Sequence, residues 1–68
     1  MPMRVYEAIL SQPASLAQIE AARAAIERVG GNVKVAPPTR TGMALVTLVL
    51  PDPYRPESFF PSLPFYPV

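Results

Sequence analysis

The sequence predicts a small α+β domain, and three observations carry that prediction. One segment repeats its apolar residues at helical spacing. Three segments alternate them at strand spacing. The last eighteen residues hold six of the ten prolines and five of the six aromatic side chains. Together they describe a strand–helix–strand–strand core over residues 1–50, followed by a stiff, apolar C-terminal segment over 51–68.

Met3 to Leu10 reads as the first strand, with Val5 and Ile9 on one side of the pleat and Tyr6, Ala8 and Leu10 on the other. Glu7 shares the Val5/Ile9 side, so that side is expected to be incompletely buried. Ser11-Gln12-Pro13-Ala14 then interrupts the strand. A helix is predicted over 16–29, with Ser15 as N-cap and Gln18 completing a capping box. Leu16, Ile19, Ala22, Ile26 and Val29 fall on one face, alanines at 21, 22, 24 and 25 keep helix propensity high, and Gly30-Gly31 closes it. Asn32 to Ala36 forms a second strand that Pro37-Pro38 ends, because proline donates nothing to a sheet ladder. After a turn at Thr39–Gly42, Met43 to Leu50 is the strongest strand. Ala44, Val46, Leu48 and Leu50 line one of its faces, and Met43, Leu45, Thr47 and Val49 the other.

Within the tail, Pro56-Glu57-Ser58-Phe59-Phe60 has the start of a short helical turn, limited by Pro61. Phe65-Tyr66-Pro67-Val68 suits an edge strand, where a proline is tolerated. The full order is then βαββ, or βαββαβ with an abbreviated second helix. Pro61-Ser62-Leu63-Pro64 also has P-x-x-P spacing, a preformed geometry that polyproline-binding domains use, but no basic residue flanks it.

Composition narrows the function classes. A domain of 68 residues is close to the lower limit for unaided folding. With no Cys and no His, disulfides, thiolate sites and the commonest zinc ligand are missing, and neither a cofactor nor a metal is expected. Burial, self-association or docking on a partner must supply the remaining stability. The net charge is +1 and the arginines are scattered among carboxylates, so the basic stripe of a nucleic-acid binder is absent. The longest apolar run, Met43 to Leu50, is far below the ~20 residues of a membrane span. The chain reads as cytoplasmic, and a fragment cut from a secreted precursor would look the same. Catalysis is not expected: Glu7 is the one carboxylate in an apolar stretch, most simply a partly exposed strand residue, and Gly30-Gly31 lacks the spacing and Lys of a phosphate loop.

A sheet covered by a helix on one side leaves its other side open. If Ala44, Val46, Leu48 and Leu50 face the helix, then Val5, Ile9, Met43, Leu45 and Val49 form an apolar open face, the usual mark of an interface. The alternative is that the aromatic tail folds back and covers it.

The strand Val5-Tyr6-Glu7-Ala8-Ile9-Leu10, the helix end Ile26-Glu27-Arg28-Val29-Gly30-Gly31-Asn32-Val33, the strand Gly42-Met43-Ala44-Leu45-Val46-Thr47-Leu48 and the ending Phe65-Tyr66-Pro67-Val68 carry a resemblance. In these parts the chain resembles the subtilisin propeptide and I9-type protease-inhibitor family. The resemblance implies a ferredoxin-like βαββαβ fold whose open sheet face packs on a subtilisin-type protease. It also implies a C-terminal segment, Phe65, Tyr66, Pro67 and Val68, directed toward the protease cleft. Proline density in the tail departs from the family's second helix. A homodimeric, ACT-like domain binding a small effector, or an accessory subunit of a larger assembly, are the alternative functions.

Overall fold

The computed structural model describes residues 2–68. Strand β1 (Met3–Leu10) leads into helix α1 (Pro13–Arg28), then β2 (Asn32–Val35), β3 (Ala44–Pro51), a single 3-10 turn (Pro56–Ser58) and β4 (Tyr66–Pro67). The strands make one four-stranded sheet in the order β2-β3-β1-β4, every neighbouring pair antiparallel. This is the predicted α+β, ferredoxin-like arrangement, with β1 and β2 flanking β3 and running the same way.

The helix starts earlier than its cap signals suggest. Gln12 is the N-cap and Pro13 the first helical residue, while Ser15 lies inside the first turn and donates its N–H to the Gln12 carbonyl at 3.1 Å. Proline's fixed φ and missing N–H suit the first helical position, which outweighs the capping box read around Ser15. At the other end Val29 is the C-cap, one residue beyond the helix. Gly30 turns left-handed at φ 89°, its N–H bonding the Glu27 carbonyl at 3.1 Å, and the Gly31 N–H bonds the Ile26 carbonyl at 2.9 Å. These two bonds form a Schellman closure. Gly31 has a second duty, because a Cβ there would lie 2.6 Å from the Val49 carbonyl oxygen of β3.

β3 is displaced by one residue from its expected bounds, starting at Ala44 and extending through Pro51, which pairs with Met3. Pro51 fits because β2 stops at Asn32, opposite Val49, so on the side where its N–H is missing there is no strand to bond. The Asp52 N–H then bonds the Pro2 carbonyl at 3.1 Å, tying the strand end to the N-terminus.

The core lies between α1 and one face of the sheet. Ile19 and Ile26 from the helix meet Ala8, Leu10, Val33, Val46, Leu48 and Leu50, all buried. Tyr6 joins them with 6% exposure. Arg23 clasps helix to sheet from the rim, its guanidinium donating to the Val33 carbonyl at 2.7 Å and to Glu20 at 2.8 Å.

The tail completes this same core. Phe60 is 2% exposed within the cluster, and Phe59, Leu63 and Phe65 pack against it. Phe60 and Phe65 stack at 5.3 Å between ring centroids, and Phe59 approaches Phe60 at 6.4 Å. Thus the 3-10 turn and three phenylalanines occupy the chain position of a second helix. The Pro61–Pro64 stretch folds into turns, with Leu63 half-buried against the core, so it is part of the domain and not an extended ligand.

Candidate functional site: the open face of the sheet

Strand alternation distributes side chains to two faces, and the registers fix which residues stand side by side. The odd-numbered residues of β1 and β3 point away from α1. Val5 pairs with Val49 and Ile9 with Leu45, and between these two apolar rows Glu7 pairs with Thr47. On the flanks Asn32 pairs with Val49 and Lys34 with Thr47, while Tyr66 pairs with Glu7. The face therefore reads as apolar rows separated by one polar row, Lys34–Thr47–Glu7–Tyr66.

From Leu45 to Val49 this face is uncovered in the fold, while Pro51 at the end of β3 is buried. Ile9 is 50% exposed, Met43 42%, Leu45 40% and Val5 39%, while Val49 is half-buried. The registers thus bring together four of the five residues expected there, Val5, Ile9, Leu45 and Val49, while Met43 lies just before β3 and is exposed. The tail covers the opposite, helix-side face. The aromatic ending is divided between the two. Phe65 packs inward on Phe60, and Pro67 pairs with the buried Tyr6. Tyr66, half exposed, joins the open face. Val68 continues β4, its N–H donating to the Val5 carbonyl at 3.0 Å, and is 77% exposed. The expected edge strand is thus shorter than Phe65 to Val68: Tyr66 and Pro67 pair with the outer edge of β1, and Val68 adds one further hydrogen bond.

Sequence reasoning missed Lys34 as a member of this face, since only the β2–β3 register shows that it stands beside Thr47. Its alternation with Val33 and Val35 was the available signal.

Charge elsewhere is local. Arg4 pairs with Asp52 at 2.8 Å across the start of β1 and the end of β3, and this hydrogen bond raises the already high arginine pKa. The Arg23 guanidinium holds the Glu20 carboxyl below its ordinary value through its hydrogen bond and charge. Both pairs are substantially exposed, which makes them minor contributors to stability. No group of three or more His, Cys, Asp or Glu able to hold a metal occurs among the described residues, and no helix there is long and apolar enough to cross a membrane. A cavity of about 600 Å³ opens beside β1 and β4, with Arg4, Tyr6, Arg55, Glu57, Phe65 and Val68 in its walls.

Comparison with family models, curated proteins and solved structures gives no match.

Proposed function

We propose that this chain is a protein–protein interaction module whose binding surface is the open sheet face, most concretely an I9-type inhibitor or intramolecular chaperone of a subtilisin-type serine protease. One observation carries the reading: Val5, Ile9 and Leu45 are each about two-fifths to one-half exposed on a sheet face away from the helix. A one-layer sheet with no partner normally presents polar residues there. The antiparallel sheet with one helix is consistent with the ferredoxin-like fold that the resemblance implies, and in the family it resembles this face packs on the enzyme. Tyr66 and Val68 would add to the contact, whereas Phe65 and Pro67 serve mainly to hold β4 in place.

The test is inhibition of several subtilisin-type proteases, followed with a chromogenic peptide, by the parent chain and by Leu45→Lys. The parent should inhibit, and the variant should stay folded by circular dichroism but inhibit far less. No inhibition by the parent removes the protease form of the proposal. Equal inhibition by both chains removes the face as the binding surface.

A second reading, binding of a small anionic effector in the manner of an ACT-like domain, is favoured by the cavity between Arg4 and Arg55. Calorimetric titration with amino acids and nucleotides tests it, and absence of heat across both sets removes it.

A further inference from the structure

We propose that the open face pairs with the open face of a second copy of this chain, about a two-fold axis running along β3. The proposal rests on the reading of that face as a binding surface and names its occupant.

The polar row decides the arrangement. Across the sheet the order is Lys34, Thr47, Glu7, Tyr66 on β2, β3, β1 and β4. Lys34 and Glu7 are thus two strands apart with Thr47 between them, and neither takes part in an ion pair among the described residues. A two-fold axis along β3 carries β1 of one copy onto β2 of the other. Glu7 then lies over Lys34 of the second copy, and Lys34 over its Glu7. Stacked sheets sit ~10 Å apart, a gap that a facing Lys and Glu together span. Leu45 and Val49 of β3 meet their own counterparts, and a seam of apolar side chains fills the centre.

Two other two-fold packings fare worse. An axis perpendicular to the strands sets Lys34 over Lys34 and Glu7 over Glu7. An axis along β1 also sets Glu7 over Glu7. Like charges facing across a contact cost several kcal/mol, so of these three axes electrostatics favours the one along β3. The result is isologous and closes as a dimer.

The footprint sets the strength. With the axis on β3, strand β4 overhangs the second copy, and at ~3.3 Å per residue and ~4.8 Å between strands β1, β2 and β3 cover roughly 300 Å² per copy. That matches a typical largest functional patch on a small protein and falls below a standard permanent interface. A reversible, concentration-dependent dimer follows.

The test is sedimentation equilibrium on the whole chain and on Glu7→Lys, Lys34→Glu and Leu45→Lys, each checked for folding by circular dichroism. The parent should dimerise. Glu7→Lys and Lys34→Glu should each weaken self-association by about tenfold or more. Mixed in equal amounts, these two variants should dimerise again, since the doubly basic row of one then faces the doubly acidic row of the other. A parent that stays monomeric at millimolar concentration overturns the proposal, as do charge variants that dimerise like the parent or a mixture that fails to recover. If Leu45→Lys abolishes the dimer while the charge changes do nothing, the face stands as a surface and the two-fold arrangement falls. If Leu45→Lys also dimerises normally, the face itself is the wrong surface and the preceding reading falls with it.

Discussion

Replacing Phe60 with Ala should cost this domain most of its stability, although Phe60 lies in a proline-rich tail that composition alone would set apart from the core. The ring is 2% exposed, stacked on Phe65 at 5.3 Å and grouped with Ile19, Ile26, Leu48 and Leu50. A buried phenylalanine hides ~150–250 Å², which at ~25 cal/mol per Å² is about 4–6 kcal/mol. The alanine methyl retains part of that, and measured Phe→Ala costs of ~3–5 kcal/mol agree. At ~0.05–0.15 kcal/mol per residue, a chain of 68 residues has a total of roughly 3–10 kcal/mol. At the middle of that range Phe60→Ala should therefore remove more than half of the stability and lower the urea midpoint in proportion. Urea titration followed by far-UV circular dichroism is the suitable assay, since the chain has no Trp. A stability within ~0.5 kcal/mol of the parent would show that the tail is an appendage and not part of the core.

The helix closure separates two glycines. Gly31→Ala should destabilise more than Gly30→Ala, because its Cβ meets the Val49 carbonyl oxygen at 2.6 Å, whereas Gly30 has open space and only the ~1–2 kcal/mol strain of a left-handed residue. Urea midpoints in the reverse order would refute that packing. The Glu20–Arg23 pair lowers the Glu20 pKa, so its contribution is present above the ordinary carboxylate range and is lost as pH falls through the folded value. Thermal melts of the parent and Glu20→Gln should therefore converge in acid, and a gap that widens there would contradict the assignment. Ile26→Ala, which opens a cavity under the helix at a fully buried position, should lower stability by ~2–5 kcal/mol, and a near-parental melt would remove Ile26 from the core.

Much of this fold was legible because its segments obey simple periods. Alternation placed Val46 and Leu48 on one face and Leu45 and Val49 on the other, and those faces are the ones found. Helix boundaries were less legible, since Pro13 and Ser15 both offer start signals and the helix takes the earlier one. The tail shows the larger gap. Its prolines and aromatics indicated that it would lie against something, but which sheet face it covers depends on tertiary packing. The 3-10 turn at Pro56–Ser58 is what directs Phe60 inward. Lys34 escaped notice for a related reason, as membership of a polar row arises only when β2 takes its register against β3.

If the face carrying Val5, Ile9, Leu45 and Val49 is the working surface of this protein, methyl cross-saturation NMR tests it most directly. Labelled chain is titrated against an unlabelled second copy and, separately, against a subtilisin-type protease. The Val5, Ile9, Leu45 and Val49 methyls should be attenuated in at least one titration, while exposed helix methyls such as Ala17, Ala21 and Ala24 keep their intensity. Attenuation on the helix with a silent sheet, or silence on both surfaces in both titrations, would contradict it.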